Sequence, residues 1–271
     1  MTREDLFRSM KETGSMLCVG LDTNYALLPG RFRSLGVYDA VASFNREIID
    51  ATAPFCIAFK PNLAFYESRG LEGMRALEAT VDYIRTSHPG KFLIADAKRG
   101  DIGNTASMYA EAYFKAMDFD AVTLSPYMGT DAVAPFLSYP GKYAIVVALS
   151  SNPSAADFEL GGDGKPLYRQ VMERMMEISS PDNMMFVVGA TRAQELKGIR
   201  GFCPENFFLV PGVGAQGGSA PEVIQNGSNK LGGLLINSSR SIIYASSGDD
   251  FADAAAAAAS VTARFTPAGL C

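Results

Sequence analysis

Eight short apolar runs, each followed by a helical pattern, predict an α/β protein: one (β/α)8 TIM barrel formed by residues 1–271 as a single domain. The chain length supports this, since about 250 residues is typical for one such barrel. The positions of the polar residues support it further. Asp22, Lys60, Asp96, Ser125, Ser151 and Asn237 all lie at or just past the C-terminal ends of the runs. A barrel gathers those ends into one ring, where active sites occur, whereas a doubly wound sheet would spread them along an edge.

The elements follow in order. Thr2 and Asp5 have capping-box-like spacing, and Leu6 and Met10 share a face, so residues 2–12 read as a leading helix. Leu17–Asp22 reads as the first strand, ending in a carboxylate. Val41, Phe44 and Ile48 recur at helical spacing within 38–53. Phe55–Lys60 is the second strand, ending in a cation. A helix over 71–86 leads to the third strand, 92–96. Helices are expected over 103–117 and 131–138, with strands over 121–125 and Tyr143–Leu149. Ser151–Pro166, rich in Gly, Ser, Pro and Asp, reads as the longest loop. A helix over 167–179, strand Met185–Gly189, helix 192–199 and strand Phe207–Val210 continue the alternation. Pro221 opens a short helix, Gly233–Asn237 is the eighth strand, and an alanine-rich helix covers 250–264. If Asp22 and Lys60 face inward, strand parity takes Gly20, Cys18, Ala58 and Cys56 with them, leaving interior space for Phe92 and Ile94.

Composition narrows the function. The chain is 48% hydrophobic and 20% charged with a net charge of −5, so it can bury a large core. No basic block is present, which argues against nucleic acid as a partner. No apolar stretch approaches the roughly 20 residues of a membrane-spanning helix. The polar start, Met1 to Phe7, lacks the apolar core of a signal peptide, and a cytoplasmic protein is expected. Four cysteines show no metal-ligand spacing and are expected to be reduced; Cys271 is the last residue. The one histidine, His88, falls in a turn before the third strand, at the end away from the charged residues. This argues against Ser-His-Asp, Cys-His or His-rich zinc chemistry at that mouth.

The densest chemistry lies in Phe92–Thr105. An apolar run ends in Asp96-x-Lys98-x-x-Asp101, followed by Thr105. In extended backbone Asp96 and Lys98 point the same way. Gly100 allows a turn before Asp101, and a helix starting at Asp101 would place Thr105 on the same face one turn on. A structural salt-bridge cluster is the competing reading.

The last two strands lead into glycine- and serine-rich loops, Pro211 to Ser219 and Asn237 to Arg240. Loops at these positions of a barrel commonly bind phosphate. Glycines permit close backbone approach, and Arg240 offers a bidentate fork. Gly212-x-Gly214-x-x-Gly217 also fits the dinucleotide fingerprint, but that motif belongs in a first βαβ unit with an acidic residue about 20 positions on. Here it lies near the chain's end, and the next strand ends in Asn237.

Three segments together resemble the orotidine 5′-phosphate decarboxylase family, over nearly the whole chain. They are Asp96-Ala-Lys98-Arg-Gly-Asp101-Ile-Gly-Asn-Thr105, Phe59-Lys60-Pro-Asn62-Leu-Ala-Phe-Tyr-Glu67 and Gly212-Val-Gly-Ala-Gln216-Gly217-Gly218. The last two look like the longer bacterial subfamily. The resemblance implies cofactor-free loss of carbon dioxide from orotidine 5′-monophosphate to give UMP, the last step of de novo pyrimidine nucleotide biosynthesis, by homodimers with shared active sites. It further implies that Lys98 donates the proton to C6, and that Asp96 flanks the substrate carboxylate. Asp101 and Thr105 would come from the partner subunit. Asp22 and Lys60 would hold the ribose hydroxyls, with Asn62 assisting, and Ser151 would read the pyrimidine. Gln216 and Arg240 would contact the phosphate under a closing loop, Pro211 to Ser219, that includes Gly217. No metal is implied. Asn237-Ser-Ser-Arg240 replaces the Val-Gly-Arg of many members, leaving Ser238 and Ser239 without assigned roles. Two alternatives stay open: a magnesium-dependent sugar-phosphate lyase of the same suprafamily, and a non-catalytic nucleotide-binding barrel.

Overall fold

The computed structural model describes residues 1–213 and 217–264. Gly214, Ala215, Gln216 and Cys271, all named above, lie outside the described residues. The strands are β1 (Leu17–Leu21), β2 (Ala58–Pro61), β3 (Phe92–Arg99), β4 (Ala121–Leu124), β5 (Tyr143–Leu149), β6 (Met184–Val188), β7 (Phe208–Pro211) and β8 (Leu234–Ser238). They follow one another in chain order as a closed barrel, as the alternation predicts. The helices are α1 (Arg3–Thr13), α2 (Val37–Thr52), α3 (Leu63–Glu67), α4 (Gly70–Ser87), α5 (Gly103–Glu111), α6 (Ala134–Leu137), α7 (Leu167–Glu177), α8 (Ala193–Phe202), α9 (Ala220–Gly227), α10 (Arg240–Ile243) and α11 (Phe251–Ala263).

The chain gathers into two compact units. One comprises Met1–Phe7 and Lys98–Asn237; the other comprises Arg8–Ala97 and the chain from Ser238 on. In the second unit, β1 and β2 pair in parallel with Gly20 opposite Lys60, and β2 continues onto β3 with Ala58 opposite Phe92. Glycine at position 20 puts no side chain beside the lysine. Helix α2 buries Val41, Phe44 and Ile48, the stripe expected from their spacing. Phe44 stacks on Phe251 at 5.1 Å and on Tyr244 at 6.0 Å, which ties α2 to α11 and to the residue after α10. His88 caps the C-terminal end of α4, and its Nε2 lies 2.9 Å from Asp50 Oδ1.

In the first unit, parallel ladders join β4 through β8 in order. Thr2 and Asp5 cap α1 reciprocally, with bonds of 2.8 and 3.1 Å. The segment expected as the longest loop is internally built. Residues Pro153–Asp157 form a 3-10 turn, Leu160 N–H donates to Ala155 O, and Tyr168 N–H donates to Glu159 O. The Glu159 carboxylate accepts from the Ser150 backbone N–H at 2.6 Å, anchoring this segment to the end of β5.

Three expectations are corrected. Ala53-Pro54-Phe55 is a 3-10 turn, so β2 starts at Ala58 rather than Phe55. Helix α5 begins at Gly103, as expected from the 103–117 reading and not at Asp101, but past Glu111 the expected helix becomes a π turn over Ala112–Ala116. Strand β3 runs on to Arg99, with Lys98 at φ 47°, so the extended-strand parity drawn for Lys98 does not hold.

Candidate active site

In the second unit, Lys60 is 3% exposed near the end of β2. Its Nζ lies 2.8 Å from Asp96 Oδ2 and 3.8 Å from Asp22 Oδ1. Burial works against the ammonium, but Asp96 first and Asp22 second more than offset it, holding the lysine pKa above its ordinary value. Lys60 therefore stays charged, and the row Asp22–Lys60–Asp96 carries one excess negative charge. Burial raises the pKa of Cys18 and keeps the thiol neutral, with Lys60 among its charged neighbours. The backbone of Cys56 instead accepts from Lys91 Nζ at 2.6 Å.

Asn62 bridges Asp96 just past the β2–β3 ladder. Its Oδ1 accepts from Ala64 N–H at 3.3 Å and caps α3, so part of what the sequence presents as a ligand is a helix cap. Asp22 Oδ1 is buried without a hydrogen-bond partner. Such an atom is costly unless another group supplies a donor.

The two serines at the end of β8 bond within the protein. Ser239 Oγ donates to Gly20 O at 3.1 Å, and the Ser238 and Ser241 hydroxyls pair at 2.8 Å. Arg240 opens α10 and is exposed. Sequence reasoning missed Tyr244, whose hydroxyl donates to Asp22 O at 3.3 Å and accepts from Asn24 N–H at 2.6 Å. A bond spanning some 220 positions leaves no local signal in the sequence.

In the first unit, Lys98 is exposed, and its backbone N–H donates to Thr123 Oγ1 at 3.0 Å. Its left-handed backbone costs about 1–3 kcal/mol and persists only where neighbours over-determine it. The next residues supply that constraint. Arg99 O accepts from Ser125 N–H at 2.7 Å, and Arg99 Nε donates to Tyr113 OH at 2.9 Å. A Cβ at Gly100 would meet Ser125 O at 3.0 Å, so glycine there eases the close approach of the two segments. Asp101 is exposed, with Oδ1 accepting from Ile102 N–H at 2.7 Å, and Thr105 is exposed in the first turn of α5.

Ser151 Oγ donates to Pro211 O at 3.3 Å, and its carbonyl accepts from Thr191 Oγ1 at 3.4 Å. A Cβ at Gly189 would fall 2.2 Å from Ser151 Oγ. Gly189 thus makes the place that Ser151 occupies. The loop after β7 is drawn together at its neck, where Gly218 N–H donates to Gly212 O at 3.3 Å. Gly212 and Gly217 have φ of 96° and 84°, conformations that favour glycine. A Cβ at Gly218 would meet Ala190 Cβ at 2.4 Å. Asn237 Oδ1, at the end of β8, is a second buried acceptor without a hydrogen-bond partner; the sequence marks the position but not this role.

Charged and hydrogen-bonding side chains at strand C-terminal ends, within a closed barrel, define an enzyme of the (β/α)8 class. A family model described as "Orotidine 5′-phosphate decarboxylase / HUMPS family" matches residues 15–257, and the chain belongs to that family. It is 51% identical over 257 residues to the orotidine 5′-phosphate decarboxylase of Phocaeicola vulgatus, covering 94% of each chain. It is 50% identical over 260 residues to the protein of that name from Christiangramia forsetii, covering 96% of this chain and 95% of that one. Among solved structures, Leishmania donovani OMP decarboxylase matches with a TM-score of 0.80 at 33% identity, covering 98% of this chain and all of that one, 100%.

Proposed function

We propose that this chain decarboxylates orotidine 5′-monophosphate to UMP, as a carboxy-lyase in pyrimidine biosynthesis. The observation that carries this is identity of about half the residues, over nearly the full length, to proteins named for that activity. The charged residues at the ends of β1, β2 and β3 fit the chemistry. The C6–carboxylate bond breaks, carbon dioxide leaves, and the electron pair stays at C6. Lys98 then delivers its ammonium proton there. The developing carbanion is stabilised by that fixed positive charge before the proton moves. Asp96, held by Lys60 at 2.8 Å, flanks the substrate carboxylate. Repulsion between the two raises the ground state that decarboxylation relieves.

The other roles are proposed from the family motifs. Asp22 and Lys60 hold the ribose hydroxyls. The buried, unpartnered Asp22 Oδ1 supports this, because a hydroxyl would supply the donor it lacks. Asn62 assists with its amide nitrogen. Ser151 reads the pyrimidine, Arg240 and Gln216 bind phosphate, and the loop from Pro211 to Ser219, with Gly217, closes on the ligand. Residues 1–271 are proposed to act as one catalytic domain. No metal or organic cofactor takes part.

The active form is a homodimer in which Asp101 and Thr105 serve the partner's site. Two apolar residues close to Asp101 in the chain are exposed, as such an interface needs: Ile102 is 42% exposed and Met108 60%. Among the described residues no helix is long and apolar enough to cross a membrane. The cytoplasm is the proposed location, and nucleic acid is not a proposed partner. The test is an ultraviolet absorbance assay of the pure protein with orotidine 5′-monophosphate, with and without EDTA. Chelator-insensitive turnover is expected; turnover lost with EDTA and restored by magnesium would overturn the cofactor-free reading.

A further inference from the structure

The backbone around Asp22 is held at four points, and the Thr23 side chain at a fifth, all within the second unit. Ser239 Oγ donates to Gly20 O at 3.1 Å, and Tyr66 OH donates to Leu21 O at 3.0 Å. Tyr244 OH donates to Asp22 O at 3.3 Å and accepts from Asn24 N–H at 2.6 Å. Thr23 Oγ1 donates to Asn45 Oδ1 at 2.5 Å. The Asn45 amide in turn donates to Tyr66 OH and to Thr80 Oγ1, each at 2.9 Å. Thr23, Asn45, Tyr66 and Thr80 are all buried. Every donor and acceptor in this chain of bonds has one consistent role, the arrangement in which a buried polar network rigidifies what it surrounds. Yet the carboxylate at its centre keeps Oδ1 buried and without a hydrogen bond, 3.8 Å from Lys60. A network that fixes four backbone points and one side chain around an unsatisfied acceptor holds that acceptor ready for a donor from outside the protein.

Tyr244 has a particular place in this network. It caps the C-terminal end of α10, and its backbone N–H donates to Arg240 O at 3.2 Å. One short helix therefore carries Arg240 at its start and the Asp22 clamp at its end. The tyrosine ring stacks on Phe44, which fixes its direction. Burial pushes its hydroxyl up to about 12, so the proton donated to Asp22 O is retained across the neutral range.

We infer that Tyr244 is a positioning residue, which sets the Asp22 carboxylate for the ribose hydroxyls and ties that setting to the helix bearing Arg240. The inference rests on the proposed function for its ligand, a pyrimidine ribonucleoside monophosphate. Its test is the ability to distinguish ribose from deoxyribose, because a purely structural role would weaken all nucleotides alike. Affinities for UMP, 2′-deoxy-UMP and 3′-deoxy-UMP are measured by calorimetry on the full chain. The wild-type protein is expected to bind at least one deoxy analogue more weakly than UMP. Tyr244→Phe keeps the ring stack and removes only the hydroxyl. It is expected to narrow the ratio for that analogue by about five- to tenfold, the scale of one or two lost hydrogen bonds. On an Asp22→Asn background the same substitution is expected to change the ratio no further.

An unchanged ratio in Tyr244→Phe, with all three ligands weakened equally, would overturn the inference. So would a wild-type protein that binds the three ligands equally. Should Tyr244→Phe fail to fold, Ser239→Ala removes a neighbouring clamp and is read in the same way. Wild-type turnover of orotidine 5′-monophosphate, measured on the same preparation, separates the two levels. Its absence counts against the proposed function, and its presence with an unchanged ratio counts against Tyr244 alone.

Discussion

Replacing Lys60 by methionine tests the electrostatics of the site directly. The side chain keeps its approximate length and loses its charge, leaving Asp22 and Asp96 without their shared cation. At an effective dielectric constant of about 20, unit charges 2.8 Å and 3.8 Å apart attract by roughly 6 and 4 kcal/mol. Desolvation of the buried ammonium cancels several kcal/mol of that sum, and breaking a buried pair typically costs about 3–5 kcal/mol. For a chain of 271 residues this lowers the melting temperature by roughly 5–9 °C near neutral pH. The sign of the pH dependence follows from the groups involved. In the wild type the raised Lys60 pKa gives stability that is fully present below the unfolded lysine value and lost as pH climbs through the folded one. In Lys60→Met the uncompensated carboxylates favour their protonated forms in the folded state. Their penalty therefore appears as pH rises above the unfolded carboxylate range near 4 and shrinks toward acid. Thermal unfolding of both proteins at pH 5 and pH 8 measures this. A variant that melts within about 2 °C of wild type at pH 8, or whose deficit grows at pH 5, would refute the reasoning.

Three further outcomes follow. Lys98→Ala should abolish turnover while UMP still binds, and Lys98→Gly should be more stable than Lys98→Ala by about 1 kcal/mol, because φ is 47° at this position; equal denaturation midpoints would argue against backbone strain there. Arg240→Ala should weaken UMP at least tenfold more than uridine, on the scale of a charged hydrogen bond, and equal losses would show that Arg240 does not meet the phosphate. Lys98→Ala and Asp101→Ala proteins, each inactive, should recover roughly a quarter of wild-type activity when refolded together in equal amounts, since about half the dimers are then mixed and each holds one intact site; no recovery despite proven subunit exchange would exclude shared sites.

The barrel was legible because its signals are periodic and local: apolar runs, helical stripes such as Val41–Phe44–Ile48, and charges placed at the ends of the runs. Lys60 and Asp96 could be placed for the same reason, as each follows apolar residues into a strand's C-terminal end. What escaped was set by tertiary contact. The left-handed backbone of Lys98 is held by Thr123 and the Arg99 contacts, and lysine gives no hint of that conformation. The five-residue α3 is too short for a periodic signal, and its cap, Asn62, carries a family motif that drew attention to ligand binding instead. The π turn after α5 and the 3-10 turn before β2 are deviations of a few residues that helix and strand periods do not encode. Tyr244 bonds Asp22, and Asn45 bonds the adjoining Thr23, from elements distant in sequence, and neither has a motif of its own.

The claim at the centre is that Lys98 protonates C6 after carbon dioxide has left. The most direct measurement follows orotidine 5′-monophosphate with the pure protein in deuterium oxide, recording released carbon dioxide and the isotopic content of the product at C6. Wild-type protein should give carbon dioxide and UMP in equal amounts, with one deuterium at C6, and Lys98→Ala should give neither product. Absence of carbon dioxide from the wild-type reaction, or turnover by Lys98→Ala at the wild-type rate, would contradict it.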